Sequence, residues 1–377
     1  MNHWEDEIKL PEKTDDIEYA YYLKSSHEPV HCSKEELFDK IGNDKDLKYI
    51  ATPDHDHFII PGMDYETLQP ILVRSKAQNL SNLKLNGTLA IFMGVLFSVI
   101  QLTDDQSINM GPGMFWLFVF VVPLIGNIYQ IYRVRNIDES NFEKESNNLK
   151  FDHWVDEGNN NSILVVAGTL AAIFFFQLIA GSQESIEFAG LVKAKTKEGE
   201  YWRLLTATLL HGNLMHIIFN GMAIYSIGQI VMRVTNFWYF AFVFLTSALI
   251  GSVFSLFLYP DITSVGASGG ILGLIGFLIA LTFRVKNVPN GISKSMISSV
   301  VFIAIVGLAL PDVIDNAAHG GGLLAGILIG LLARVSHDQG IPLKSRRVLN
   351  IAGIISTLVL IAGVAFIMKL FFEYAAA

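Results

Sequence analysis

The sequence predicts an all-α polytopic membrane protein with a small soluble α+β domain at its N-terminus. Three observations predict it. Of 377 residues, 51% are hydrophobic and only 16% charged, and the mean hydropathy is +0.42. A succession of apolar runs begins at Leu85, most of them near the ~20 residues a helix needs to cross hydrocarbon. Residues 1–76 are, by contrast, polar and acidic without being low in complexity. The net charge of −8 argues against a nucleic-acid partner. A single cysteine, Cys32, leaves the redox compartment open. The acidic start of the chain lacks an apolar core, so no signal peptide is expected.

In order along the chain, Ser33-Lys34-Glu35-Glu36 has the spacing of a capping box, and Gly42-Asn43 is placed to end the short helix that follows. Residues 47–51 and 58–60 read as two short strands around Pro53-Asp54-His55-Asp56-His57. The carboxylates and imidazoles of residues 54–57 are metal-ligand types, but a solvated turn is the preferred reading. Nine spans are expected: 85–102, 114–131, 163–180, 204–232, 237–259, 267–283, 296–310, 317–333 and 348–372. The run 296–310 is short and needs its flanks. The polar stretch 133–161 reads as a connector. The expected parts are therefore a soluble domain (1–80), two membrane helices (81–132), the connector (133–161) and a helical membrane domain (162–377).

Orientation follows from Lys and Arg in the short loops. Arg133 and Arg135 follow the second span, Arg233 the fourth, Arg284, Lys286 and Lys294 the sixth, and Arg334, Lys344, Arg346 and Arg347 the eighth. The alternate loops 103–113, 259–265 and 311–316 have neither residue. This places the N-terminus in the cytoplasm and the C-terminus outside. The loop 182–203 is an exception, since it is assigned outside yet carries Lys193, Lys195, Lys197 and Arg203.

With that topology, Ser268, His319, His211, His216 and Asn220 lie at comparable depth toward the outer side. Hydrocarbon offers a polar group no water, so such groups are paired or functional. A serine nucleophile needs a base within hydrogen-bond reach, and His319 stands at the right depth on a helix able to pack close to Ser268. Gly322, Gly326 and Gly330 follow His319 at offsets that return to nearly its face. Gly269, Gly273 and Gly276 form a similar stripe after Ser268, and two such stripes let backbones approach. His216 and Asn220, four apart, share a helical face and both can donate to an oxyanion, as can the Ser268 amide at a helix start. His211 is about 140° from His216 on a continuous helix and is expected to face the outer loops in an anchoring role. A His-Glu-x-x-His zinc motif is absent, and a paired-aspartate site lacks its intramembrane aspartates. No metal or other cofactor is expected.

These residues carry a resemblance. From about residue 163 to 372 the chain resembles the rhomboid intramembrane serine proteases, through Glu200-Tyr201-Trp202-Arg203, His211-x4-His216-x3-Asn220, Gly266-Ala267-Ser268-Gly269 and Ala318-His319-x2-Gly322. The resemblance implies a six-helix core with a seventh helix added at 348–372. It implies Ser268 as nucleophile and His319 as base in a dyad without an acid, and His216, Asn220 and the Ser268 amide as oxyanion donors. Trp202 and Arg203 would lie in the family's membrane-embedded loop. The sequence departs from the family at Leu272, where members usually carry an aromatic that packs on the base. The partners implied are transmembrane protein substrates and the lipid bilayer, most simply that of the cell membrane. Nothing names a partner for the N-terminal domain. A non-catalytic rhomboid-like binder is the alternative, and the presence of both serine and histidine weighs against it. A transporter would need polar groups at mid-membrane, whereas these cluster at one end.

Overall fold

The computed structural model describes residues 4–376 apart from 15–16, 27, 45, 104–123, 159–160, 260–262, 286–287, 289, 312, 334–342 and 344–346. Of the sequence expectations, the loop 103–113, the first part of the second span and the basic residues Lys286, Arg334, Lys344 and Arg346 lie at least partly outside the described residues. The chain divides into two compact units, residues 8–154 and residues 1–7 with 155–377.

Unit 8–154 is built on a three-stranded antiparallel sheet, β1 (Ala20–Leu23), β2 (Val30–His31) and β3 (Leu47–Ala51), in the order β2-β1-β3. The register pairs Ala20 with both His31 and Ala51. Alternation along β3 sends Tyr49 and Ala51 to a cluster with Phe58 and Ile60, and Ile50 to the opposite one with Leu37 and Ile41. The latter two come from α1 (Lys34–Asn43), whose N-cap Ser33 accepts from the Glu36 amide as the capping-box spacing predicts. The expected strand at 58–60 reduces to an isolated bridge in which Ile59 and Ile50 exchange backbone hydrogen bonds. Strands β1 and β2 escaped the sequence reading because they are short and lack a sustained alternation. His55 meets Asp64 at 3.2 Å, and among the described residues no group of three metal-ligating side chains forms.

α2 (Tyr65–Thr103) is a single helix of 39 residues, so the first expected span is its C-terminal half. Residues 124–135 form α3. The polar stretch read as a connector contains α4 (Phe142–Asp156), which packs on the N-terminal domain. Leu149 joins Leu68, Leu72 and Val134, Ser146 donates to the Met63 carbonyl at 3.0 Å, and His153 lies edge-on to Tyr49. A low mean apolarity concealed this helix, since apolar residues are few in it although most of its length is at least partly buried.

Among the described residues the second unit carries seven apolar helices: α5 (Asn161–Ala180), α9 (Leu214–Val234), α10 (Phe237–Leu258), α11 (Ser268–Thr282), α12 (Asn290–Ala309), α13 (Asn316–Leu332) and α14 (Arg347–Ala376). Five are long and apolar enough to cross a membrane; α11 and α13 are shorter. The protein is an integral multi-pass membrane protein, with the predicted six-helix core and seventh helix. The fourth span is corrected at its start. Residues 203–209 form α8 (Arg203–Thr206) and a 3-10 turn (Ala207–Leu209), and the membrane helix begins only at Leu214, where the Asn213 side chain accepts from the His216 amide. Asn236 and Asp315 cap α10 and α13 in the same way. Between α5 and α8 the loop folds into α6 (Ser182–Ala189) and α7 (Lys193–Lys197).

α11 is apolar all round, and every residue from Gly269 to Leu278 is buried, the pattern of a central helix. Its partner α13 approaches backbone to backbone. A Cβ placed on Gly322 or Gly326 would collide with the carbonyl oxygen of Gly269 or Gly273, and one on Gly330 would lie 2.8 Å from that of Phe277. The stripes expected from the sequence thus face one another. Gly326→Ala is expected to lower stability by about 1–3 kcal/mol through overpacking. Gly320→Ala, where a Cβ meets nothing within 4 Å, is expected to leave stability unchanged or raise it by up to about 1 kcal/mol. Thermal melts in detergent read both, and a wild-type melt for Gly326→Ala would contradict the backbone contact.

Candidate active site

The glycine contact brings the N-terminal ends of α11 and α13 together. Ser268 is the first residue of α11, and His319 lies in the first turn of α13. His319 Nε2 is 2.7 Å from Ser268 Oγ, hydrogen-bond distance for a base and a nucleophile. The other ring nitrogen, Nδ1, is buried and meets no hydrogen-bond partner among the described residues. No carboxylate therefore contacts this imidazole there.

α11 has 15 residues and rises about 22 Å, less than the about 30 Å of a hydrocarbon core. A helix this short does not reach both surfaces, and a reactive end can sit below one of them.

Gly266, two residues before the serine, has φ +130°, and a Cβ there would lie 2.7 Å from His216 Cε1 and Nε2 and 3.7 Å from Asn220 Nδ2. Glycine is thus required twice, by conformation and by space. The same distances show that His216 Nε2 and Asn220 Nδ2 converge beside the loop that presents Ser268. The Gly212 amide donates to His216 Nδ1 at 3.4 Å, which assigns the imidazole proton to Nε2. Asn220 Nδ2 is buried and without a hydrogen-bond partner among the described residues. Two N–H groups therefore point at one place with nothing yet to receive at least one of them.

His211 is corrected. It precedes the helix, so helical geometry does not place it, and it turns inward rather than toward the outer loops. It is fully buried with its ring edge-on to His216 at 5.1 Å. Its backbone is held by Gln177 of α5, which donates to the His211 carbonyl at 3.1 Å and accepts from its amide at 2.9 Å. Leu272 is buried one turn after Ser268.

Trp202 and Arg203 lie in the loop between α5 and α9 and make no hydrogen bond to the dyad among the described residues. The Arg203 guanidinium is buried, donates to Glu200 at 2.5 Å and to the carbonyls of Glu187 and Gly190 at 3.2 and 2.8 Å, and lies against the Trp202 ring. Trp202 in turn meets Phe366 of α14 edge-on at 5.2 Å. These contacts hold the loop, and the Gly266 amide is tied to it through the Ala207 carbonyl at 2.8 Å.

Sequence reasoning missed a second polar cluster beside the dyad, formed by Lys193, Ser255, Ser264 and Asp315. The available signal was Lys193 itself, a cation in a loop where the charge pattern predicts none.

Residues 198–336 match the family model described as the Rhomboid domain. The chain is 32% identical over 168 residues to rhomboid protease GluP of Bacillus subtilis (strain 168), covering 43% of this chain and 32% of that one. It is 34% identical over 184 residues to RHOMBOID-like protein 4 of Arabidopsis thaliana, covering 46% of each. It is also 34% identical over 136 residues to "Putative rhomboid protease YdcA" of Bacillus subtilis (strain 168), covering 36% of this chain and 68% of that one. The chain spans less than half the length of the first two relatives. With over two thirds of the third relative matched at this identity, and the domain match lying across the Ser268–His319 pair, the chain belongs to the rhomboid family.

Proposed function

We propose that the chain is an intramembrane serine protease that hydrolyses peptide bonds in or beside transmembrane segments of other membrane proteins. The observation that carries this reading is the 2.7 Å contact between His319 Nε2 and Ser268 Oγ at the ends of two short helices. In this reading Ser268 Oγ attacks the scissile carbonyl as His319 Nε2 takes its proton. The carbonyl oxygen becomes an oxyanion, received by His216 Nε2–H, Asn220 Nδ2–H and the Ser268 amide. His319 passes the proton to the departing amine, and a water activated by the same nitrogen then releases the acyl group. With no carboxylate on Nδ1 among the described residues, packing must hold that side of the imidazole, and Leu272 offers less for this than the aromatic usual in the family.

The N-terminal domain is proposed to be cytoplasmic and the active site to open to the outer side, from the distribution of Lys and Arg. An impermeant thiol reagent should then label Cys32 and a cysteine at the exposed Tyr201 from opposite sides of sealed vesicles. Burial and Glu36 push the Cys32 thiol up, so labelling is carried out at alkaline pH, where more thiolate is present. Labelling of both from one side would refute the proposed orientation.

Ser268→Ala and His319→Ala are each expected to abolish cleavage of a transmembrane substrate while the protein stays folded, with the double variant hardly worse than either, because the two act as a unit. Substantial turnover in either single variant would remove the dyad.

His216→Ala and Asn220→Ala distinguish oxyanion donors from interhelical ties. A lost donor costs about 10²–10³ in turnover, whereas a hydrogen bond between membrane helices averages about 0.6 kcal/mol. The expected outcome is a large loss of rate with a small shift in melting, measured in detergent and in liposomes. Near-normal rates would leave the Ser268 amide as the remaining donor. Leu272→Phe is expected to raise the rate without moving the cleavage position.

A further inference from the structure

The glycine faces of α11 and α13 set how close the two helices lie, but such faces are smooth. Dispersion contacts between glycines carry little direction, so they do little to fix rotation or sliding of one helix on the other. Proton transfer from Ser268 to His319 needs that register, since a misplacement near 1 Å can cost about 10²-fold in rate. Something directional must supply it.

The buried cluster beside the dyad has the required connectivity. Asp315 is the N-cap of α13, with Oδ1 accepting from the Ala318 amide at 2.8 Å and its carbonyl from the His319 amide at 3.1 Å. Its other oxygen, Oδ2, accepts from Ser255 of α10 and from Ser264. Ser264 in turn accepts from Lys193 Nζ, and the ammonium stands 4.0 Å from Asp315 Oδ2. The backbone of Ser264 exchanges hydrogen bonds with Leu191 at 3.0 and 3.3 Å. One carboxylate thus joins the helix of the base, the segment leading to the nucleophile, α10 and the outer loop. Ser264 precedes Ser268 by four residues, and Asp315 precedes His319 by four, so the cluster grips each member of the dyad at the same short distance along the chain.

Lys193 and Ser255 are buried, so the ion pair is poor value as a source of stability. Its desolvation opposes its attraction, and apolar residues of similar volume would often serve better. Burial pushes the Lys193 ammonium down to about 8 while the Asp315 carboxylate pulls it the other way. What an ion pair with satisfied hydrogen bonds does provide is one preferred geometry. We propose that Lys193 and Asp315 are positioning residues, which through Ser264 and Ser255 hold the N-terminus of α13 in register with the segment that presents Ser268. This rests on the serine-protease reading above.

The test uses the full chain in detergent and a fluorophosphonate probe that reacts with an activated serine, so no natural substrate is needed. Labelling is followed against probe concentration, giving a limiting rate and a half-saturating concentration, and each variant's melt is recorded. Lys193→Met removes the cation. Asp315→Asn retains a capping acceptor and removes the charge. The expected result is a limiting rate lowered at least tenfold in each, with half-saturation unchanged, and a double variant no slower than the worse single because the pair acts as one unit. A merely structural pair would lower the melt and leave the limiting rate of the folded fraction untouched. Wild-type limiting rates in either variant, below its melt, overturn the proposal. If Lys193→Met does not fold, Ser264→Ala decides. It breaks the same bridge without stranding a charge and is expected to slow labelling, and a wild-type rate there overturns the proposal equally. If the wild type itself takes no label, the protease reading fails, and the positioning role with it.

Discussion

The contact on which the rest depends is the backbone-to-backbone approach of α11 and α13. Side chains of ordinary size between these helices would hold their axes apart, and Ser268 and His319 would then lie beyond hydrogen-bond reach. The glycines that permit the approach contribute nothing chemical themselves. Their effect is geometric: Gly322 and Gly326 meet the carbonyls of Gly269 and Gly273 directly. Gly251 extends the arrangement to α10, where a Cβ would lie 2.6 Å from the Ala318 carbonyl. Three helices are thus drawn in around the first turn of α13, and among the described residues no carboxylate reaches the Nδ1 of the base.

Close approach concentrates polar groups where water is scarce, and the structure meets that constraint by pairing them. Gln177 uses both its amide nitrogen and its oxygen on His211. Arg203 spends its donors on a carboxylate and two loop carbonyls. The loop between α5 and α9 likewise pairs its polar groups internally, as where Thr206 donates to the Ala189 carbonyl at 2.7 Å. Asn220 Nδ2, beside Gly266, is one of the buried groups that have no hydrogen-bond partner among the described residues, as are both ring nitrogens of His211.

The sequence by itself determined the apolar spans of the second unit, the cap at Ser33, the two glycine stripes and the membership of Ser268, His319, His216 and Asn220 in one group. These are local properties: periodicity, capping chemistry and motif spacing depend on neighbours a few residues away. Only the tertiary structure decided what depends on distant partners. It moved the start of the supposed long fourth span to Leu214, because residues 203–209 are folded against other parts of the loop. It turned His211 inward, because Gln177 from another helix holds its backbone. It gave α4 to the N-terminal domain, since a few apolar residues are too weak a signal in a polar segment. It also buried Lys193 beside Asp315 and Arg203 on Glu200 and two loop carbonyls. Asp315 lies more than a hundred residues from Lys193, and no pattern along the chain encodes a pairing that exists only when the helices are packed.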